Sequence, residues 1–160
     1  MCTLRKVTPQ DDAELASVIR SVLIELGVPK TGTAYADPEV DAMTAAYAKS
    51  RSAYFVVEEH GKVIGGGGIA PLQGGEAQVC ELQKMYFLPE ARGRGLGRQL
   101  MEKALLFAVE NEFCLCYIET LPYMKAAQRL YRKMGFDYIE GPMGTTGHTN
   151  CNVWMTKSLK

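Results

Sequence analysis

Glycines alternate with arginines in one short stretch of the chain, residues 92–97, which reads Arg-Gly-Arg-Gly-Leu-Gly. The stretch follows a predicted strand at Leu82–Phe87 and precedes a predicted helix. Glycines at such a junction let the backbone turn tightly and point several N–H groups toward one spot, where the helix N-terminus adds partial positive charge. Arg92, Arg94 and Arg98 supply further positive charge. The stretch therefore predicts a site for a phosphate-bearing ligand.

This stretch differs from two well-known phosphate-binding motifs. A mononucleotide P-loop requires Gly-x-x-x-x-Gly-Lys-Ser/Thr, which the sequence lacks. The dinucleotide fingerprint Gly-x-Gly-x-x-Gly is matched at Gly93 and Gly95, but Arg98 stands in place of its third glycine. Glu119 ends the next predicted strand, where a ribose-binding acid is expected. A nicotinamide-dependent oxidoreductase therefore stays open as an alternative.

The pattern Arg-x-x-Gly-x-Gly, formed by Arg92, Gly95 and Gly97, resembles the acyl-CoA pyrophosphate loop of the GNAT superfamily of N-acetyltransferases. The surrounding residues 81–100 are similar to that family's core motif. A second segment, Ala127–Phe136, is similar to its C-terminal motif Ala-x-x-Leu-Tyr-x-x-x-Gly-Phe. The resemblance covers essentially the whole chain. It implies a single GNAT domain over residues 1–160, with an α/β fold in which helices flank both faces of a central mixed sheet.

The resemblance implies that acetyl-CoA is the co-substrate. Its pyrophosphate would bind the backbone N–H groups of the glycine stretch, and its pantetheine arm would follow the preceding strand. The family's strands splay apart there and leave main-chain groups free for the ligand. The family often has an asparagine three residues before Ala127, where this chain has Met124. The residues implied at this site are Met85, Tyr86, Phe87, Arg92, Gly93, Arg94, Gly95, Leu96, Gly97, Arg98 and Ala127.

Acetyl transfer to an amine requires a base, because an amine with a pKa of about 10.4 is almost fully protonated at pH 7. The resemblance implies Glu81 as this general base and Tyr131 as the acid that protonates the leaving thiolate. A backbone N–H near Met85 would stabilise the oxyanion. From residue type alone, Glu81 is also consistent with a solvated strand-end acid, and Tyr131 with a packed tyrosine.

A polar stretch, residues 144–151, precedes the last predicted strand and suits the acceptor end of the sheet. His148, whose ordinary pKa is about 6.5, is a candidate to orient the substrate or to act as the base instead of Glu81. Cys151 is a candidate nucleophile in an alternative, covalent mechanism. Tyr35, in the loop between the first two predicted helices, is expected to line the same pocket. Tyr35, His148 and Cys151 are therefore the candidate substrate-binding residues.

Two further patterns are less specific. The run Gly65–Gly68 lies in a predicted strand and indicates a bulge, a close approach of substrate or another backbone, or a weakly packed strand end. Cys114-x-Cys116 and His148-x-x-Cys151 suggest zinc, but Cys114 and Cys116 are closer together than the usual ligand spacing. We expect no metal, and interpret Cys114 and Cys116 as small apolar residues of a buried strand.

Hydrophobic periodicity divides the chain into strands and helices that must position these residues. Their order, β-α-α-β-β-β-α-β-α-β-β, predicts one mixed sheet. The predicted strands are Cys2–Val7, Tyr54–Glu58, Val63–Leu72, Glu76–Leu88, Cys116–Thr120, Phe136–Glu140 and Cys151–Thr156, and the predicted helices run from Thr8 to Leu26, from Asp37 to about Ser50, from Gly95 to about Asn111 and from Met124 to Met134.

The composition fits one domain of 160 residues and excludes several classes of protein. Eighteen basic and eighteen acidic residues cancel, which disfavours nucleic acid or an anionic membrane as a partner. Five cysteines without framework spacing, and no apolar N-terminal segment, indicate a cytoplasmic protein. We expect a monomer or homodimer that acetylates a small-molecule or peptide amine. A non-catalytic acyl-CoA-binding domain and a longer acyl group stay open.

Overall fold

The computed structural model describes all 160 residues, and its centre is one sheet of seven strands in the order β1-β2-β3-β4-β5-β7-β6. Neighbouring strands are antiparallel except β4 and β5, which are parallel. The predicted mixed sheet is therefore confirmed. The strands are β1 (Cys2–Lys6), β2 (Ala53–Glu59), β3 (Lys62–Pro71), β4 (Val79–Phe87), β5 (Leu115–Thr120), β6 (Asp137–Ile139) and β7 (Val153–Ser158).

Helices cover both faces of this sheet, because its central strands are apolar on both sides. Successive residues of β2 point to opposite faces: Phe55 packs into the core beneath α3, whereas Tyr54 and Val56 pack beneath α1. No helix of the chain combines the length and the apolar character that a membrane crossing requires. The helices are α1 (Asp12–Glu25), α2 (Met43–Ala46), α3 (Leu96–Glu110) and α4 (Lys125–Lys133).

The parallel strands β4 and β5 separate partway along their length. They pair only at their first three residues, and the last pair is Glu81 with Tyr117. Beyond it the strands continue to Phe87 and Thr120 without pairing with each other. The structure therefore has the splayed strand pair that the resemblance implied, and the splay opens a gap through the sheet.

A bulge in β4 faces the glycine run of β3. Gly66 pairs with Tyr86 and Gly68 with Gln83, so one residue of β3 is opposite two of β4. A side chain at Gly65 would overlap with the ring of Phe87, which packs directly over the β3 backbone. The predicted bulge is confirmed, with its extra residue in β4, and the group that closely approaches Gly65 is a side chain.

The predicted helix from Asp37 to Ser50 is wrong. The segment forms a 3₁₀ helix at Pro38–Asp41 and then the single turn α2, separated by Ala42 with φ of −142°. This break allows both Val40 and Met43 to be fully buried against α1 and the sheet. Smaller corrections are a 3₁₀ turn at Pro9–Asp11 before α1, a start of β4 at Val79 instead of Glu76, and a start of β7 at Val153 instead of Cys151.

Candidate active site

The glycine stretch forms the turn between β4 and α3, and Gly95 is the N-cap residue of α3. Gly93 and Gly95 have φ values of 73° and 76°, in the left-handed region that other residues rarely adopt. A Cβ atom at either glycine would meet no protein atom within 4 Å. The backbone conformation therefore requires these glycines, and the outer surface of the turn is open.

Six consecutive N–H groups of this turn, those of residues 93–98, have no acceptor in the protein. The next one, of Gln99, donates to the carbonyl oxygen of Gly95 at 3.1 Å and begins the regular helical pattern. Unpaired donors at a helix N-terminus, together with the helix dipole, attract an anion with several oxygens. The turn therefore has the donors that a pyrophosphate group needs.

The arginines near this turn contribute less positive charge than their number suggests. Each is paired with a glutamate: Arg92 with Glu25, Arg94 with Glu59 and Arg98 with Glu102. These ion pairs hold the pKa of Glu25 and Glu59 below the usual glutamate range. The capacity of the turn to bind an anion therefore depends mainly on its backbone.

A cavity of about 620 Å³ begins at the glycine turn and passes through the gap between β4 and β5. Leu82 and Ile118 line it on one face of the sheet, and Val22 and Leu23 of α1 line it on the other. We call it the through-sheet cavity. Of the predicted cofactor-binding residues, only Arg94 lies outside it, because its side chain contacts Glu59 and Cys2 instead. The predicted residues that line it are Met85, Tyr86, Phe87, Arg92, Gly93, Gly95, Leu96, Gly97, Arg98 and Ala127.

Tyr131 of α4 also lines the through-sheet cavity. Its ring packs against Phe136 with centroids 6.3 Å apart. Burial raises the pKa of its phenol to about 12, and the hydroxyl has no hydrogen-bond partner in the protein. The hydroxyl is therefore protonated at neutral pH and free to donate to a group in the cavity.

A second cavity, of about 310 Å³, has no hydrophobic side chain in its lining apart from the ring of Pro38. We call it the polar cavity. Lys84 lines both cavities, so the two approach each other at the bulge of β4. The other lining residues are Asp37, Glu39, Gln73, Glu81, Gln83, Thr146 and His148.

Glu81 is the last residue of β4 that pairs with β5, and it faces the polar cavity. One carboxylate oxygen accepts a hydrogen bond from Nε2 of Gln83 at 2.7 Å, and Oε1 of Gln83 accepts one from the hydroxyl of Tyr47 at 2.5 Å. The other carboxylate oxygen has no partner in the protein. Burial raises the pKa of Glu81 to about 7. The hydrogen bond from Gln83 lowers this pKa, and the nearby charge of Glu119 raises it further. Glu81 can therefore exchange a proton near neutral pH.

His148 lies between two carboxylates. Its Nε2 is 2.8 Å from Oδ2 of Asp37, and its Nδ1 is 3.8 Å from Oε1 of Glu119. The bond to Asp37 raises the pKa of His148, which favours the imidazolium form. Glu119 also accepts hydrogen bonds from the hydroxyls of Tyr117 and Thr146. His148 is thus held in place by its neighbours.

Lys84 is another charged group whose position in the polar cavity is fixed by its neighbours. Its Nζ lies 3.1 Å from Oδ2 of Asp37 and 2.5 Å from Oε1 of Glu39, and its side chain is only 4% exposed. The bulge places it there, because Lys84 has φ of 49° and its carbonyl accepts a hydrogen bond from the buried hydroxyl of Tyr54. Two carboxylates therefore hold one buried ammonium group.

Comparison with known proteins assigns the family. The model of the acetyltransferase (GNAT) family matches residues 21–136, which include the glycine turn and α4. The chain belongs to the GNAT family. It is 46% identical over 157 residues, 98% of this chain and 94% of the other, to the Escherichia coli K12 protein described as the uncharacterised N-acetyltransferase YjgM.

Solved structures support the same fold. A GNAT-family acetyltransferase from Staphylococcus aureus Mu50 superimposes over 100% of both chains with a TM-score of 0.89 at 19% identity. The paiA N-acetyltransferase from Thermoplasma acidophilum, in complex with coenzyme A, covers 99% of both chains with a TM-score of 0.77 at 16% identity. The family match favours acyl transfer over the oxidoreductase that the glycine pattern left open.

Two of the predicted substrate-binding residues lie elsewhere in this GNAT domain. Tyr35 lines neither cavity, because its ring packs near Arg20 and Lys30, at 5.8 and 5.4 Å from their charged groups. Cys151 lines the through-sheet cavity and not the polar one. Burial and the neighbouring carboxylates raise the pKa of its thiol to about 12, which disfavours the thiolate needed for a covalent mechanism.

The residues that form the charged wall of the polar cavity are difficult to recognise in the sequence. Asp37 and Glu39 have the pattern of a helix start, and no motif includes Lys84. A lysine inside a predicted buried strand was the one signal that could have identified this wall, since lysine is almost never fully buried unless it is paired.

Proposed function

We propose that this GNAT protein is an acetyl-CoA-dependent N-acetyltransferase that moves the acetyl group directly to a primary amine. The observation that carries the proposal is that two different cavities approach each other at the bulge of β4. One begins at six unpaired N–H groups, and the other contains a buried carboxylate that titrates near neutral pH. A donor with a pyrophosphate and an acceptor with an ammonium group match these two ends.

Acetyl-CoA would supply the activated acyl group as a thioester. The glycine turn would hold its pyrophosphate through backbone N–H groups, and the unpaired edge of β4 near Met85 and Phe87 would hold its extended arm. This part of the protein binds and orients the donor, and Phe87 and Ala127 exclude water from the arm.

Glu81 would take a proton from the acceptor ammonium, since its carboxylate is half ionised near pH 7. Tyr131 would donate its phenolic proton to the sulfur that leaves, because its hydroxyl is protonated and has no competing partner. His148 is the alternative base, but its bond to Asp37 stabilises the imidazolium form that cannot accept a proton.

The proposal is tested by thiol release from acetyl-CoA in the presence of a panel of amines. We expect release that depends on the amine and that is lost in Glu81→Gln, while this variant still binds acetyl-CoA. Binding of acetyl-CoA without release for any amine would instead support a non-catalytic acyl-CoA-binding domain, and NADH binding in place of acetyl-CoA would contradict the proposed cofactor.

A further inference from the structure

The polar cavity is bordered by three loops that are fixed to one another. The backbone N–H of Asn150 donates to the carbonyl oxygen of Gly32 at 3.0 Å, and that of Thr145 donates to the carbonyl oxygen of Gln73 at 2.7 Å. His148 joins the same loop to Asp37. The cavity is partly open to solvent and has a volume of about 310 Å³, which suits a small molecule.

The charges of the cavity are not balanced. The carboxylates of Asp37, Glu39 and Glu81, which line it, and that of Glu119, which borders it beyond His148, outnumber the two cationic groups, Lys84 and the imidazole of His148. The other titratable groups nearby, Tyr47 and Tyr117, are neutral phenols whose pKa is raised by burial. Even with His148 protonated, ionisation of Glu81 leaves an excess of one negative charge among the lining residues, and of two when Glu119 is included.

Two of these carboxylates have unused capacity to bind a cation. Glu81 is 5% exposed, and one of its oxygens has no hydrogen-bond partner in the protein although it faces the cavity. Glu39 shares its single partner, Lys84, with Asp37, and its side chain is 45% exposed. A buried carboxylate without a counter-ion is costly, so a ligand cation would be stabilised at Glu81. A second cation would be stabilised at Glu39.

Lys84 does not provide a site for an anionic acceptor. Its ammonium group already lies between two carboxylates and is almost completely buried, so a carboxylate ligand would have to displace them. The excess negative charge would also repel such a ligand. The arrangement therefore distinguishes acceptors by charge.

We propose that the acceptor is a small amine with two positive charges, whose reacting ammonium lies beside Glu81 and whose second cationic group lies at Glu39. This inference rests on the proposed N-acetyltransferase function and identifies the class of its acceptor. An alkyl diamine or a small amino sugar with two amino groups has this chemistry.

Three probes of one chain length separate the effect of charge from that of size: 1,5-diaminopentane, 1-aminopentane and 5-aminopentanoate. We expect kcat/KM for the diamine to exceed that for the monoamine by about tenfold or more, and the zwitterion to be the poorest acceptor. The preference should shrink as salt increases. Equal or better turnover of the monoamine would overturn the inference while leaving the N-acetyltransferase function intact.

Binding of the same three amines to the CoA-saturated protein gives a second readout. If no amine is acetylated, the proposed function fails, but tighter binding of the diamine than of the monoamine still supports the dicationic site. Equal binding of the two overturns that site. The two proposals can therefore fail separately.

The variant Glu39→Gln removes one charge without changing side-chain size, and Asp37 still holds Lys84. We expect the ratio of diamine to monoamine kcat/KM to fall about fivefold, the effect of one partly exposed charge pair. Glu90→Gln is a matched control, because Glu90 also follows a proline in the first turn of a 3₁₀ helix but lines neither cavity. An unchanged ratio in Glu39→Gln would mean that the second cationic group does not bind at Glu39.

Discussion

The two cavities of this protein are built in opposite ways. At the glycine turn, the through-sheet cavity is lined by one continuous stretch of chain, residues 92–98 without Arg94, and this stretch offers backbone N–H donors. The polar cavity consists of side chains from four distant segments, which supply Asp37, Gln73, Glu81 and His148 among others. One site depends on backbone conformation, and the other depends on the identity and charge of individual side chains.

This difference determines how each site responds to mutation. A backbone site tolerates many side-chain changes but not a loss of the glycine conformation, because φ values near 75° are rarely accessible to other residues. A side-chain site can change its ligand through single substitutions that leave the fold intact. Donor binding and acceptor choice should therefore be separable by mutation.

Gly95→Glu is expected to separate donor binding from acceptor choice most strongly. A side chain at this position is strained and places negative charge where the pyrophosphate would bind, so we expect acetyl-CoA affinity to fall by about a hundredfold or more. Calorimetric titration measures this loss. Gly61→Glu is the matched control, since Gly61 has φ of 77° and an equally open surrounding but lies in the β2–β3 turn. Equal losses in both variants would mean that strain alone is responsible.

Glu81→Gln should instead affect the reaction and not donor binding. Because the carboxylate is the basic form, the rate of the native enzyme should rise as pH increases through about 7. In the variant we expect kcat to fall about a hundredfold and this pH limb to disappear, while acetyl-CoA titration stays unchanged. A retained limb near pH 7 would identify another base, of which His148 is the next candidate.

Tyr131→Phe tests a side chain that lines the through-sheet cavity but has a proposed role in the reaction. We expect kcat to fall about tenfold because a general acid is lost. The free energy of unfolding should change by less than about 1 kcal/mol, since the hydroxyl has no partner in the protein. Denaturant unfolding and steady-state kinetics separate the two effects, with Tyr35→Phe as the control, since the hydroxyl of Tyr35 also has no partner in the protein and the residue lines neither cavity. Full activity with lowered stability would mean that Tyr131 has a packing role only.

Cys151→Ala should have the smallest effect, less than about a twofold change in kcat. The thiol lines the through-sheet cavity, but a pKa of about 12 leaves almost no thiolate at neutral pH. Rapid-quench mass spectrometry should therefore show no acetyl group on the protein. An acetylated Cys151 that forms and decays at the rate of turnover would replace direct transfer with a covalent mechanism.

The glycine turn was predictable from the sequence, because the residues that form it are consecutive in the chain. The glycines, the strand before them and the helix after them are contiguous, so the turn and its N–H donors follow from spacing alone. The mixed sheet was predictable for the same reason, from periodicity and from glycine and proline at the ends of elements.

The charged wall of the polar cavity, formed by Asp37, Glu39 and Lys84, was not predictable in the same way, although Glu81 and His148 were candidates. Asp37 and Glu39 meet Lys84 only because Ala42 interrupts the helix that their sequence favours and because a bulge redirects β4. Tyr35 belongs to the same loop but packs against Arg20 and Lys30 instead. Contacts between distant loops decide these positions, and no local pattern encodes them.

The most direct test of this account is calorimetric titration of the purified protein with acetyl-CoA, with NADH as the control. The account predicts micromolar binding of acetyl-CoA and none of NADH, because the turn offers its N–H groups to a pyrophosphate whose arm enters the through-sheet cavity. Absence of acetyl-CoA binding, or equal binding of NADH, would contradict the assignment of this cavity to the acyl donor.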